Sequence, residues 1–537
     1  MIKTLIGLDM AGSETFPFTR RCWYSGFTLT LLFACLFNCS LEAQDKPNLI
    51  VLLVDDFGYG DISYEGNTQI KTPNIDRIAK EGVRFTRFYQ SGAACAPTRA
   101  AILTGRYALS AGVWDVHYGR DFLRRDEQTI ADAFKEAGYT TGAFGKWHNG
   151  KTNSYFSWNR GFDVGLHPKL YQYFDNDAIF NNKLVHYDGP VTDLVGDEVI
   201  KFIETHKDQP FFAYVPFQDI HEPFNCPPRL FEKYKAKGYS DHVARLYGMI
   251  EAVDDNVGKI LDAVNRLELQ KETLVVFLGD DGPSPGVDLS YNNRRMNQVE
   301  QAERSRAWSR QLRGEKGSLW EGGVITPCYM SWPGHIQPGR DIHQIAGIID
   351  LYPTLLDAFG ITTTHQTLPV DGRSLWPLLK GETIPDWDKR FYFDNSNFYQ
   401  IPIEAIDLES PQIHYLSVQH QQYKMVRQDG RLYGGRDPVK YYLFDLKTDP
   451  EEKQDISGQH PEMTQLLKDT LNNWFAGILR SGRAFYQAEY PVGDWQERET
   501  PINLDAMSEI TGSLRRKSLS LIEGWDRPGN SLKYPID

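Results

Sequence analysis

Cysteine and net positive charge are both lacking in this chain. Of six cysteines among 537 residues, only Cys95, Cys226 and Cys328 lie beyond residues 1–43. Pairing of Cys226 with Cys328 in an oxidising compartment stays open, but two cysteines are too few for a disulfide framework. The formal net charge of −13 argues against a nucleic acid partner. It also repels polyanions at long range, so an anion site would have to be a local basic pocket.

Long apolar runs are missing as well. The run from Phe27 to Phe37 is shorter than the about 20 residues that a transmembrane helix needs, so we expect no transmembrane span. Two arginines precede it, which predicts a cleaved export signal over residues 1–43 and a periplasmic or secreted protein. A lipid anchor on Cys35 or Cys39 is the alternative. The chain is otherwise 41% hydrophobic and 24% charged, as in a globular protein large enough for two domains.

Two apolar segments end in paired aspartates. Leu49 to Val54 is continuously apolar, which predicts a parallel strand covered on both faces, and it leads into Asp55-Asp56. Residues 273–278 repeat the pattern and lead into Asp280-Asp281. A single such pair is usually a solvated turn. Two pairs at the carboxyl edge of a sheet, where open α/β folds place their sites, instead favour a site for Ca²⁺ or Mg²⁺.

The stretch from Ser91 to Arg106 predicts a helix that begins close to Cys95. Small residues lead to Cys95, and Pro97 suits an early helical position. Exposed amide groups at a helix N-terminus favour anions. Arg99 lies one turn further on the same face and can reach back toward residue 95. A lone cysteine here is ordinarily a small buried apolar residue, so the motif around it decides its interpretation.

Cys95, Pro97 and Arg99 resemble the Cys-x-Pro-x-Arg signature of the type I sulfatases. Residues 103–106, Leu-Thr-Gly-Arg, resemble its usual extension. The segments Val-Asp-Asp at 54–56 and Gly-Asp-Asp-Gly at 279–282 resemble the metal-binding pairs of that family. The chain departs from the family at Asp281, where asparagine is most common.

Three further segments extend the resemblance. Gly-Lys-Trp-His at 145–148 is similar to the second sulfatase signature, and we expect Lys146 and His148 to project on the same side of an extended segment. His221 follows an apolar strand at 210–216, as an active-site histidine does in the family. Lys316 lies in a glycine-rich loop that resembles the late lysine loop, and its glycines allow close backbone approach to a ligand.

The resemblance implies an α/β fold with an alkaline-phosphatase-like large domain, a mixed central sheet and a smaller C-terminal α+β domain. We expect the catalytic domain to span residues 46–360 and the smaller domain residues 361–480. A C-terminal extension of unknown role follows over residues 481–537.

The resemblance also implies an enzyme that hydrolyses sulfate esters, with a sulfated carbohydrate as the expected substrate. A separate formylglycine-generating enzyme would convert Cys95 to formylglycine (3-oxoalanine). The expected ligands of Ca²⁺, with Mg²⁺ less favoured, are Asp55, Asp56, Cys95, Asp280 and Asp281. The other expected catalytic residues are Arg99, Lys146, His148, His221 and Lys316, of which Lys146, His221 and Lys316 also bind substrate.

Two alternatives stay open. A formylglycine-dependent phosphodiesterase or phosphonate hydrolase shares the fold, cation and nucleophile. A sulfated-glycan-binding protein without formylglycine would bind sulfated sugar but release no sulfate.

The arginine-rich insertion 283–311 fits either a surface loop or a lid over an anionic polymer. Tyr171 and Tyr173, with His167 and Lys169, fit a sugar-facing loop and core packing equally.

Overall fold

The computed structural model describes residues 46–93, 95–116, 119–284, 287–288, 294–295, 312–363, 368–396, 415–429 and 438–486. The predicted export signal, most of the insertion 283–311 and nearly all of the predicted extension lie outside the described residues. Among the residues that are described, no helix is both long enough and apolar enough to cross a membrane.

Strands and helices alternate through much of the chain. The strands are β1 (Asn48–Val54), β2 (Val83–Phe85), β3 (Phe88–Tyr89), β4 (Thr140–Phe144), β5 (Val164–His167), β6 (Phe174–Phe180), β7 (Lys183–Pro190), β8 (Phe211–Phe217), β9 (Thr273–Gly279), β10 (Val287–Asp288), β11 (Arg294–Arg295), β12 (Cys328–Ser331), β13 (Arg340–Ile342), β14 (Ala346–Gly347), β15 (Tyr392–Asn395), β16 (Leu416–His420), β17 (Tyr423–Asp429) and β18 (Val439–Asp445). The α-helices are α1 (Pro73–Glu81), α2 (Cys95–Thr104), α3 (Ala108–Ala111), α4 (Ile130–Glu136), α5 (Val191–His206), α6 (Pro228–Lys235), α7 (Asp241–Arg266), α8 (Glu321–Val324), α9 (Leu351–Ala358), α10 (Trp376–Leu379) and α11 (Pro461–Arg480).

A ten-stranded sheet forms the centre of the fold, in the order β13-β2-β12-β9-β1-β8-β4-β5-β6-β7. The strands β9, β1, β8, β4 and β5 run parallel to one another. Antiparallel pairs flank them on both sides, at β12 with β9 and at β5 with β6. The expected mixed central sheet is therefore confirmed.

Side chains of β1 pack alternately into two cores. Leu49, Val51 and Leu53 belong to one buried cluster, and Ile50, Leu52 and Val54 belong to another. All seven residues of β1 are buried, which explains why its sequence shows no polar alternation. The apolar run thus predicted both the strand and its coverage on two faces.

A second, four-stranded antiparallel sheet lies toward the C-terminus, in the order β15-β16-β17-β18. A third hydrophobic core of the protein combines Val418 and Met425 from this sheet with Leu467, Leu471 and Phe475 from α11. The expected α+β region is confirmed, whereas the exact boundary at residue 360 stays a prediction.

The two cysteines whose pairing was open are both free thiols. Cys226 packs in the core that contains Ile50, and Cys328, on β12, packs in the core that contains Leu49. Because consecutive β1 residues point to opposite faces of the sheet, these two cores lie on opposite faces and the sulfur atoms cannot meet.

Candidate active site

The paired aspartates meet because three parallel strands end at the same level. Val54, the last residue of β1, lies opposite Phe217 of β8 and Gly279 of β9. Asp55 and Asp280 therefore leave adjacent strands side by side. At Asp56 the backbone has a φ of 57°, and its amide donates a hydrogen bond to Asp280 Oδ1 at 3.0 Å. This turn brings the second carboxylate of the first pair back over the sheet edge.

An acidic cluster results, in which carboxylate oxygens of Asp55, Asp56 and Asp280 lie within 4.8 Å of one another. These three residues and Asp281 are fully buried. Asp56 Oδ2 and Asp281 Oδ2 accept no hydrogen bond from the described residues. Buried carboxylate oxygens without donors are costly, and hard oxygen atoms are the ligands that Ca²⁺ and Mg²⁺ prefer. The carboxylate oxygens at this edge of the sheet therefore fit a divalent cation.

The protonation behaviour of the cluster reflects the same crowding. Burial, reinforced by the charge of Asp55, raises the pKa of Asp280 to about 7. Burial likewise raises the pKa of Asp281 well above its ordinary value, although the charge of Lys316 opposes this. Asp55 differs: burial alone would raise its pKa, but Lys146 and Arg99 hold it well below the usual range.

Cys95 is the first residue of α2 and is only 2% exposed. Lys146 Nζ donates to Cys95 Sγ at 3.3 Å and to Asp55 Oδ2 at 2.5 Å. One ammonium group therefore joins residue 95 to the acidic cluster. Burial raises the pKa of the Cys95 thiol to about 11 despite the nearby charges of Lys146 and Lys316. Since only the thiolate is a strong nucleophile, the unmodified side chain is poorly suited to attack a substrate at neutral pH.

Arg99 is fully buried and connects three parts of the site. Its Nε and Nη2 donate to Asp280 Oδ2 at 3.0 and 2.7 Å. Nη2 also donates to Asp55 Oδ1 at 3.2 Å, and Nη1 donates to the carbonyl oxygen of Lys146 at 2.8 Å. The guanidinium thereby fixes both strand ends and the segment that bears Lys146 in one arrangement.

Lys316 and His221 both face the Asp56 carboxylate of the acidic cluster. Lys316 Nζ is 2.5 Å from Asp56 Oδ1, and its side chain is 18% exposed. His221 Nε2 is 3.8 Å from Asp56 Oδ2. Its Nδ1 is 2.6 Å from the carbonyl oxygen of Glu222, which can only accept, so Nδ1 carries the proton. Burial and the charge of Lys316 lower the pKa of His221 to about 4.

His148 lies at a turn of the backbone rather than in an extended segment. Its backbone φ is 56°, so the side-chain alternation of an extended segment does not apply there, and the placement of Lys146 and His148 on the same side stays a prediction. The His148 ring bonds through Nε2 to the carbonyl oxygen of Val116 at 3.0 Å. The next residue, Asn149, donates to the Ala96 carbonyl at 3.0 Å and so ties this turn to the start of α2. Asn149 was not predicted from the sequence, where its only signal is its position directly after the second signature.

Comparison with known families agrees with this geometry. The profile of the family described as "Sulfatase" matches residues 47–361, more than half of the chain. The chain belongs to the sulfatase family. It is thus a sulfuric ester hydrolase, and the family named in the sequence analysis is confirmed. A second profile, "N-sulphoglucosamine sulphohydrolase, C-terminal", matches residues 315–476 of this sulfatase.

Individual proteins are similar to this sulfatase in sequence or in fold. This sulfatase is 27% identical over 527 residues to an N-acetylgalactosamine-6-O-sulfatase of Bacteroides thetaiotaomicron, covering 82% of this chain and 96% of the relative. The structure of Ps i-CgsB in complex with k-i-k-neocarrahexaose has a TM-score of 0.69 at 24% identity, with coverage of 88% and 100%. A phosphonate monoester hydrolase of Agrobacterium radiobacter shares the fold at a TM-score of 0.55 and 20% identity, with coverage of 81% and 96%.

Proposed function

We propose that this sulfatase removes sulfate from a sulfated carbohydrate, with Cys95 matured to formylglycine and Ca²⁺ held beside it. The observation that carries the proposal is the contact of one Lys146 ammonium with both Cys95 Sγ and Asp55 Oδ2. Residue 95 therefore stands directly against the acidic cluster. A nucleophile at this position would act next to a bound cation.

The cation ligands would be Asp55, Asp56, Asp280 and Asp281, together with the matured residue 95. The free oxygens of Asp56 and Asp281 support this assignment. Bound Ca²⁺ would supply Lewis-acid polarisation of the sulfuryl oxygens. The all-oxygen donor set favours Ca²⁺ or Mg²⁺ over zinc, and Mg²⁺ is the less favoured of the two.

Formylglycine would supply a hydrated aldehyde whose hydroxyl serves as nucleophile toward sulfur. The raised pKa of the Cys95 thiol argues against direct attack by the unmodified residue, because the thiol stays protonated at neutral pH. The partner required for it is a formylglycine-generating enzyme.

The other charged side chains have distinct roles. Lys146 and Lys316 would bind the sulfuryl oxygens and offset negative charge that develops there. Arg99, which holds Asp55 and Asp280, would orient the cation ligands. His221, once protonated at Nε2, would deliver the proton that the departing alcohol needs, and His148 would assist release of sulfate from residue 95.

A carbohydrate substrate is supported by the similar proteins. The Bacteroides relative is named for a sulfated amino sugar, and the Ps i-CgsB structure contains a neocarrahexaose. The local basic group of Lys146, Lys316 and Arg99 can bind an anion in spite of the net charge of −13. Export to the periplasm or outside the cell suits such a substrate, and lipid anchoring is the alternative route.

The second candidate is a formylglycine-dependent phosphonate or phosphodiester hydrolase. This candidate is supported by the Agrobacterium phosphonate monoester hydrolase, which shares the fold of this sulfatase. Direct comparison of turnover on sulfate esters and on phosphoesters of the same alcohol separates the two, and the proposal requires the sulfate ester to react faster.

The first test is the mass of the tryptic peptide that spans residues 88–99, after coexpression with a formylglycine-generating enzyme. Aldehyde in place of thiol lowers this mass by about 18 units, whereas oxidation of the thiol to sulfenic, sulfinic or sulfonic acid raises it. The matured protein should release sulfate from sulfated oligosaccharides, and Cys95→Ala should release none. Unmodified thiol beside a correctly matured positive control would contradict the proposal.

A further inference from the structure

The loop over residues 169–173 is fastened by one buried side chain. Asn176 Oδ1 accepts from the amide of Lys169 at 2.9 Å. Its Nδ2 donates to the carbonyl oxygens of Lys169 and Gln172 at 2.9 and 2.6 Å. Asn176 is fully buried, so three hydrogen bonds fix both ends of the turn from inside the protein.

The same loop holds the backbone that bears His221. Tyr173 is buried, and its hydroxyl donates to the carbonyl oxygen of His221 at 2.5 Å and to that of Gln218 at 3.3 Å. A residue of the loop is therefore bonded directly to the segment of the proposed general acid. The positions of the loop and of His221 depend on each other.

Tyr171 stands at the tip of this loop, beside the His221 ring. Its φ of 64° is unusual for a residue other than glycine, and such backbone persists only where its surroundings hold it. The centroids of the Tyr171 and His221 rings are 4.9 Å apart, with 44° between their planes. Tyr171 is half-buried, whereas Tyr173 is buried, so residue 171 is partly accessible to solvent beside His221.

We propose that Tyr171 forms one wall of the subsite for the sugar that carries the sulfate, an inference that rests on the proposed function. Sugar rings present apolar faces of C–H groups, and the face of a tyrosine ring packs against them. A sugar in contact with Tyr171 would place its ester oxygen near His221, where the leaving alcohol needs its proton. Tyr171 thus selects the alcohol, whereas Lys146 and Lys316 bind the sulfuryl group.

Substitutions at Tyr171 should separate these two parts of the substrate. Tyr171→Ala should lower kcat/KM for a sulfated oligosaccharide by about 10- to 100-fold, mainly through KM, and Tyr171→Phe should stay within about threefold of the wild type. Product inhibition by inorganic sulfate, which occupies only the sulfuryl end of the site, should not change. Tyr187→Ala, at a half-buried tyrosine of β7 that packs against the core, controls for loss of a ring from the adjoining hairpin.

Binding to inactive protein tests the subsite without turnover. Titration calorimetry would compare Cys95→Ala with Cys95→Ala/Tyr171→Ala, using N-acetylgalactosamine 6-sulfate and sulfated carrageenan oligosaccharides as probes. Binding by the first protein that weakens about tenfold or more in the second supports the inference. Equal binding by both, or no binding of any probe by either, overturns it.

The kinetic outcomes distinguish this inference from the proposed function. A matured wild type that hydrolyses sulfated sugar, together with a Tyr171→Ala variant of unchanged KM, overturns only the role of Tyr171. Loss of kcat alone, with a displaced pH profile, also overturns it, because Tyr171 would then act by positioning His221. A matured wild type that prefers phosphoesters overturns the sulfatase proposal and the sugar subsite together.

Discussion

Two clusters of buried charge differ in how completely their carboxylate oxygens are paired. The Lys424 cluster consists of Lys424 on β17, Glu321 on α8 and Glu452. Lys424 Nζ donates to Glu321 Oε1 at 2.8 Å and lies 3.0 Å from Glu452 Oε1. The Tyr89 hydroxyl donates to Glu321 Oε2 at 3.1 Å, and the Glu321 amide donates to Glu452 Oε2 at 2.6 Å. Three of the four carboxylate oxygens therefore accept a hydrogen bond, and the fourth, Glu452 Oε1, has only its ion pair with the Lys424 ammonium.

The acidic cluster at the edge of the large sheet is paired only in part. Both oxygens of Asp55 and both oxygens of Asp280 have partners within the protein. One oxygen of Asp56 and one of Asp281 do not, among the residues described. Because native structures pair nearly all buried polar atoms, complete pairing indicates a structural role and unpaired oxygens indicate a place for a ligand. The contrast separates a charge cluster that supports the fold from one that is completed by a bound ion.

Removal of a proposed cation ligand should have the largest effect. Asp56→Asn should reduce sulfatase activity by about 1,000- to 10,000-fold, equivalent to about 4 to 6 kcal/mol of transition-state stabilisation. It should also abolish the rise in melting temperature that Ca²⁺ gives over chelator-treated protein, since binding to the folded state alone raises stability. Asp262→Asn, at an exposed aspartate of α7, should leave both properties unchanged. An Asp56→Asn protein with the full Ca²⁺-dependent shift would refute the assignment.

Removal of the Lys424 ammonium group from the Lys424 cluster should instead reduce the stability of the fold. Lys424→Met leaves two buried carboxylates uncompensated, so we expect the free energy of unfolding in urea to fall by about 3 to 5 kcal/mol. The matched variant Lys440→Met, on the exposed side of β18, should change it by less than about 0.5 kcal/mol. Equal effects of the two substitutions would show that the cluster does not support the fold.

Asp281→Asn tests the charge of the acidic cluster at the position where the chain departs from the common family pattern. Asparagine keeps an oxygen ligand but removes a charge, so Ca²⁺ affinity should fall about tenfold. The cation-free protein should be more stable at neutral pH than the wild type, because burial disfavours the ionised form of Asp281. Calcium titration followed by calorimetry measures the first effect, and urea unfolding in chelator measures the second. Tighter calcium binding by the variant would contradict this role.

Local sequence patterns predicted the site where each residue follows directly from its own element. The apolar runs before Asp55 and Asp280 indicated buried parallel strands, and parallel strands deliver their ends to one edge. Pro97 and the small residues before it indicated the start of α2 at Cys95. The turn at His148 escaped prediction because its φ of 56° has no glycine to signal it.

Contacts between distant segments could not be predicted in the same way. Lys424 meets Glu321 across 103 positions of sequence, and no periodicity relates the two. Tyr171 and His221 are likewise brought together only by the packing of a loop against the end of β8. Cys226 and Cys328 were undecided from sequence because the sheet face that each one joins depends on how the whole chain is arranged.

The smallest expected effect concerns the pH dependence of the Lys424 cluster. Burial, together with the charge of Glu321, raises the pKa of Glu452 to about 7, although Lys424 opposes the shift. The folded protein therefore retains a proton that the unfolded chain loses, and this contribution to stability disappears as pH rises from about 4.5 to about 7. Glu452→Gln imitates the protonated acid, so between about pH 6 and pH 7 the wild type should lose about 1 kcal/mol more unfolding free energy than the variant. Glu451→Gln, at the half-buried neighbour, should keep the wild-type pH dependence. If Glu452→Gln and the wild type show parallel pH profiles in urea unfolding, one lysine is enough to keep both buried glutamates ionised, and the Lys424 cluster is balanced without a shared proton.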